Sequence, residues 1–286
     1  IAEAQAYSEA RELWALNSHV IYIRSPGVIV ELATRELMQP QAFVQHRYAN
    51  RTYSVTTVTA AGQTKTEDKP IAPAWVRWSF RAELARITFA PGQLEITPDQ
   101  AYNLWSGWGC VSTRGDVTPW RKLLDYMFAD ESEACRWFER WCAYPIQHPG
   151  AKLYTAAVIW GAMQGTGKSL IGHSLMSVYG RHACEINDQH LQSNFNEWAD
   201  RMQFVMGDDV VSGENKRHVA DRLKALITQK EMRVNKKHLP TYVVPDCINY
   251  YFTSNHPDAF FVEDTDRRYF IHRAPLVKHT PEFYGA

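Results

Sequence analysis

Residues 151–275 predict a three-layer α/β core with a parallel sheet, preceded by a smaller, partly helical and aromatic-rich region. Three observations predict it. Short apolar runs alternate with helical periodicities, the pattern of βαβ units. A glycine-rich turn joins the first run to the first helix, and an acidic pair ends a later run.

The elements read in order as a strand over Leu153–Trp160, a helix over Ser169–Val178 and a strand over Ala183–Ile186. A helix over Gln189–Trp198 and a strand over Gln203–Met206 follow. Val219, Leu223, Leu226 and Ile227 form one apolar stripe, which predicts a helix over 216–229. Upstream, Glu3–Leu16 is helix-like and Val20–Ile23 strand-like. Gly62–Pro73 is polar with two prolines, the composition of a loop or linker. In the aromatic-rich stretch Ala134, Trp137, Phe138 and Trp141 share one helical face, which predicts core packing before base stacking. The predicted organisation is 1–75 of unknown role, 76–150 mainly helical, 151–275 the core, and 276–286 a truncated tail.

Composition excludes some classes. Of 286 residues 45% are hydrophobic, enough for a substantial core. No eighteen-residue apolar run and no signal sequence occur, so the chain reads as soluble, without membrane association and not exported. Its first residue, Ile1, and abrupt last residues read as a piece of a longer polypeptide. Five cysteines without a C-x-x-C pair argue against a disulfide framework or zinc site. Lys+Arg and Asp+Glu balance at 31 each, so no global positive field marks a nucleic-acid partner.

Ala162-Met163-Gln164-Gly165-Thr166-Gly167-Lys168-Ser169 fits the phosphate-binding P-loop pattern, with Ala162 at the first glycine position and Gly161 before it. Gly165 and Gly167 permit a tight turn whose N–H groups face phosphates. Lys168 would reach the β- and γ-phosphates of ATP, and Ser169 would offer its hydroxyl to Mg²⁺. ATP hydrolysis also needs an acidic residue at the end of a neighbouring strand. In Phe204–Asp209, Asp208 is the candidate metal carboxylate and Asp209 the water-activating one; on its own such a pair is equally a solvated turn. Cys247–Asn255 reads as a buried strand that would place Asn255 near the γ-phosphate. Arg267 or Arg268 follows, either as a finger acting on a neighbouring subunit, worth roughly 10³–10⁵ in rate, or as a surface pair for Asp264 or Asp266.

These four elements in this order resemble the superfamily 3 helicases, a branch of the AAA+ ATPases found in viruses, phages and plasmids. Trp141–Gly150, Ile87–Gly92 and Asn103–Gly107 look like the lead-in of phage primase-helicase proteins. The resemblance spans roughly residues 85–275. It implies a hexameric ring around single-stranded DNA in the host cytoplasm, ATP bound between subunits, and a primase-polymerase domain on the same full-length polypeptide. It also implies a DNA-gripping hairpin, which 231–235 and 241–244 would form around Lys236, Lys237 and His238. The Lys-His pair is similar to the DNA-contacting pair of polyomavirus large T antigen. Without the resemblance that turn is merely charged and solvated. Residues 214–238 carry eight Lys/Arg against three Asp/Glu, a net of +5. Lys224 matches a basic residue with which the family senses nucleotide across the interface. Two other readings are a P-loop kinase and an ATP-gated assembly or replication-initiation module with little turnover.

Overall fold

The computed structural model describes residues 11–59, 62–129, 131–193, 196–208, 216–256 and 265–285, the side chains at 188, 192 and 216–218 excepted. It divides into two compact units. The first holds residues up to 88, with 94–104 and 235–242; the second holds 89–93, 105–234 and 243 onward. The first therefore runs past the expected boundary at residue 75.

In the first unit residues 11–16 are helical, and the rest of the predicted opening helix lies outside the described residues. Strands β1 (Val20–Ser25), β2 (Val28–Glu31), β3 (Glu36–Met38), β6 (Glu83–Thr88) and β7 (Ala101–Asn103) form a mixed sheet in the order β3-β2-β1-β6-β7. Val20 of β1 and Ile29 of β2 pack in one cluster with Phe43, Tyr48 and the fully buried Trp75, whose indole N–H donates to Asn17 Oδ1 at 2.7 Å. Residues 76–150, expected to be mainly helical, thus also contain two strands.

The predicted Gly62–Pro73 loop is instead β5 (Thr64–Pro70), paired antiparallel with β4 (Thr52–Val58), followed by helix α1 (Ile71–Arg77). Every residue of β5 is exposed. A strand with water on both faces needs no apolar alternation, so its composition is that of a loop. Cross-strand pairs hold it: Ser54 Oγ donates to Asp68 Oδ1 at 2.7 Å, and the Thr56 and Thr66 hydroxyls lie 3.2 Å apart. Pro73 falls in the first helical turn, where a missing N–H costs nothing.

The second unit is a three-layer α/β fold. Strands β8 (Ala156–Trp160), β9 (Ala183–Ile186), β10 (Phe204–Asp208), β13 (Asn249–Ser254) and β14 (Tyr269–Arg273) make a wholly parallel sheet in the order β14-β8-β13-β10-β9. Ala157, Ile159, Phe204, Met206 and Tyr251 pack into one cluster with helices α2 (Thr118–Phe128), α3 (Ser132–Gln147) and α4 (Lys168–Tyr179). The alternating Val158, Val205, Tyr250 and Phe252 are equally buried, as a sheet covered on both faces requires. Phe138 and Trp141 sit in the cluster, so the aromatic face of α3 is core. Trp137, less buried, stacks on Phe270 with centroids 4.2 Å apart.

Close approach of α4 to the sheet depends on Gly172, where a Cβ would lie 2.4 Å from Met206 Sδ. The predicted strand over Leu153–Trp160 shortens to β8, five residues. The predicted helix over Gln189–Trp198 is interrupted. Asn187 caps a short α5 (Asp188–Gln192), and Glu197–Ala199 forms a single turn. Asn196 Nδ2 donates to the Arg233 carbonyl at 2.7 Å, committing that residue to a distant strand in place of a continuous helix. Helix α6 (Lys216–Thr228) leads into the hairpin of β11 (Glu231–Val234) and β12 (Tyr242–Pro245).

A buried ion pair fastens α6 to the start of β13. Lys152 Nζ lies 2.9 Å from Asp246 Oδ1, with side chains 5% and 0% exposed, and donates to the Leu226 carbonyl at 2.9 Å. Asp246 also accepts from Gln229 Nε2 at 2.6 Å and the Ile248 amide at 2.9 Å. A short α7 (Pro281–Tyr284) lies at the end of the described residues. No described helix is long and apolar enough to cross a membrane.

Candidate functional site

The loop between β8 and α4 sits at the carboxyl end of a central parallel strand, where open α/β sheets bind ligands. Its turn depends on left-handed backbone at Gly165 (φ +74°) and Gly167 (φ +89°), a conformation that penalises a side chain. At Gly167 a Cβ would also lie 2.9 Å from Leu123 Cδ1. The loop is tied to β13 by the Gly161 amide, which donates to the Ser254 carbonyl at 2.9 Å. Tyr251 Oη donates to the Lys168 carbonyl at 2.7 Å.

Lys168 is buried, and its ammonium donates to the carbonyls of Gly161 (3.1 Å) and Met163 (3.0 Å). It thus lies folded along the loop's own concavity. The Thr166 hydroxyl is buried and has no hydrogen-bond partner among the described residues. A buried donor in that condition costs about 1–3 kcal/mol, which an acceptor in the loop would recover.

Parallel register sets Asp208 beside Thr253. Thr253 Oγ1 donates to Asp208 Oδ1, and Ser169 Oγ donates to Asp208 Oδ2 at 3.1 Å. Three strand or helix ends thus converge on one carboxylate. Loop residues Gln164–Ser169 line a cavity of about 510 Å³ with Asp208, Asn255 and Tyr284. One carboxylate beside one hydroxyl fits the sparse protein ligation of Mg²⁺, which keeps waters and takes phosphate oxygens. Looped backbone, a lysine and an orphaned hydroxyl fit a polyphosphate. Asp209 lies outside the described residues.

Of the sequence-predicted residues, Gln164 to Ser169, Asp208 and Asn255 meet in this cavity; Ala162 and Met163 belong to the same loop at its exposed shoulder. Arg267 and Arg268 do not line it. Arg268 Nη1 pairs with Asp266 at 3.1 and 3.2 Å, and the almost fully buried Asp266 carboxylate also faces Lys224 Nζ at 3.9 Å. Arg267 is exposed, and its carbonyl accepts from Thr155 Oγ1 at 3.5 Å. Lys236, Lys237 and His238 form the turn between β11 and β12, and His238 has φ +64°. The turn belongs to the first unit: Gln39 Nε2 donates to the His238 carbonyl at 2.9 Å. Lys237 and His238 remain exposed and, with Gln41, Gln45 and His46, edge a cavity of about 540 Å³.

Two site residues escaped sequence reasoning. Thr253 was visible only as one of three polar residues ending a strand. Tyr284 lies in a segment with no motif of its own.

Residues 159–268 match a family described only as a family of unknown function, DUF5906. The DNA primase-polymerase of Nitratiruptor phage NrS-1 is 28% identical over 152 residues, 52% of this chain and 21% of that protein. The apo structure of the NrS-1 C-terminal region (305–718) superposes with a TM-score of 0.73 at 20% identity, covering 95% of this chain and 64% of that one. The A form of the same region gives 0.64 at 21% identity, over 82% and 60% of the two chains. The chain is therefore homologous to the NrS-1 protein and shares the fold of its C-terminal region. The match spans about a fifth of the primase-polymerase and less than two thirds of that C-terminal structure.

Proposed function

We propose that this chain is the ATP-hydrolysing motor of a phage replication protein, a DNA helicase of the superfamily 3 type within the AAA+ ATPases. The observation that carries the reading is the convergence of Ser169 and Thr253 on Asp208, at the cavity that Lys168 and Asn255 also line. Likeness to a DNA primase-polymerase and to its C-terminal region supports replication as the setting.

The roles follow from the chemistry of each group. Lys168 exchanges its contacts with the loop carbonyls for β- and γ-phosphate oxygens of ATP. Ser169 and Asp208 would hold Mg²⁺, which would supply neutralisation of phosphate charge. Thr253 orients the Asp208 carboxylate by donating to one of its oxygens, leaving the other turned to Ser169. Asn255 senses the γ-phosphate and Asp209 positions the attacking water. Arg267, exposed and away from its own chain's cavity, is the better placed of the two arginines to act on a neighbouring subunit. Arg268 and Lys224 share Asp266, which would report on that interface.

The assembly we propose is a hexameric ring threaded by single-stranded DNA, with Lys236, Lys237 and His238 contacting the strand. A primase-polymerase domain on the same full-length polypeptide would provide primers.

Steady-state ATP hydrolysis against protein concentration, with and without single-stranded DNA, tests the reading. Specific activity that rises with concentration, and again with DNA, is expected. A flat profile without response to DNA would remove the helicase assignment for this chain.

A further inference from the structure

The stretch from Pro275 to Tyr284 folds back onto the P-loop and gives its cavity an aromatic wall. Tyr126 Oη donates to the Val277 carbonyl at 2.7 Å, and its ring meets those of His279 and Phe283 at 4.5 and 5.6 Å. His279 stacks on Phe283 at 4.1 Å, and the His279 amide donates to Tyr284 Oη at 3.0 Å. Tyr284 is thereby held at both ends of its side chain, by the backbone of α7 and by its hydroxyl.

The half-buried Tyr284 ring lines the cavity beside Gly167 and Leu170. A Cβ on Gly167 would lie only 3.2 Å from Tyr284 Cε1. Phe283 and Tyr126 meet the ring at 90° and 71°, so neither is stacked on it.

Backbone amides and Lys168 suit phosphate, and Asp208 with Ser169 suits a hydrated cation, but none of these groups recognises a base. An aromatic ring fixed at the same cavity does, because every base offers a π-face to stack on. We propose that Tyr284 is the nucleobase-contacting residue of this cavity, and that Pro275–Tyr284 is the strap that carries it there. The inference rests on the nucleotide reading above and extends it to the nucleoside end of the ligand. Stacking tolerates different bases, so the site should prefer a nucleoside triphosphate over a bare triphosphate more than one base over another.

The test compares ATP with inorganic tripolyphosphate, each titrated calorimetrically into the unaltered chain, Tyr284→Phe and Tyr284→Ala. Stacking energies predict a loss of roughly tenfold in ATP affinity for Tyr284→Ala. Its tripolyphosphate affinity should stay within about twofold, and Tyr284→Phe should keep both. Retained tripolyphosphate binding also certifies that the loop is folded. If Tyr284→Ala fails to fold, Tyr284→Leu, which keeps bulk without a π-face, takes its place under the same criterion. Equal losses of both ligands, or no loss of either, would overturn the base contact while leaving the phosphate site standing. An unaltered chain that binds neither ligand would refute the nucleotide reading itself, and this inference with it.

Discussion

Replacing Asp246 by alanine should destabilise the second unit more than any single change on its surface. Asp246 is fully buried and accepts three hydrogen bonds, from Lys152, Gln229 and the Ile248 amide. Its removal strands the Lys152 ammonium, itself 5% exposed, with only the Leu226 carbonyl among these partners. Removing one partner of a buried pair costs about 3–5 kcal/mol, whereas replacing both by apolar residues is often neutral or stabilising. For a unit of this size the single change corresponds to roughly 6–20 °C in melting temperature.

The sign of the pH dependence follows from Lys152. Burial pulls its pKa below the ordinary 10.5, and the Asp246 charge opposes that pull. Without Asp246 the folded-state pKa falls further. Between that depressed value and the ordinary one the unfolded chain binds more protons, so stability rises with pH across the window. Urea denaturation of Asp246→Ala should therefore show its largest deficit near about pH 7 and a smaller one near about pH 9.5. The double variant Lys152→Met, Asp246→Leu should recover most of the loss. A deficit under about 1 kcal/mol, or one unaltered by pH, would refute the assignment of a charged, mutually dependent pair.

Three further outcomes concern the site. Lys168→Ala should reduce phosphate release to background while leaving the melting transition in place; residual turnover at an appreciable fraction of the unaltered rate would disprove the role. Thr253→Val keeps the volume but deletes the donor to Asp208, and hydrogen bonds to charged groups are worth about 1.5–3 kcal/mol. Its kcat should fall roughly 10–100-fold with a raised Mg²⁺ requirement, and Thr253→Ser should restore both; a full rate at low Mg²⁺ in the valine variant would count against the orienting role. The pair Lys237→Ala, His238→Ala should retain basal hydrolysis yet lose DNA stimulation and unwinding, read by strand displacement. Normal unwinding in that variant would sink the hairpin as a DNA contact.

The parallel sheet was legible because burial on both faces leaves a local signature, a continuous apolar run such as Phe204–Met206 or Tyr250–Phe252 followed by polar residues. The turn between β8 and α4 was legible because its left-handed backbone selects glycine at 165 and 167. Failures fell where partners are distant. β5 carries no apolar alternation because neither face touches a core, and its identity comes only from pairing with β4. The break after α5 follows a contact from Asn196 to Arg233, thirty-seven residues away.

The amino-acid sequence by itself determined the layered α/β fold, the glycine turn after β8 and the acidic strand end, since each is encoded in neighbouring residues obeying a short-range rule. Tertiary structure alone decided that Thr253 orients Asp208, that Gln39 holds the hairpin turn at His238, and that Tyr284 stands over Gly167. Those contacts join residues 45, 199 and 117 positions apart. Strand register and chain reversal bring them together, and neither leaves a mark on local composition.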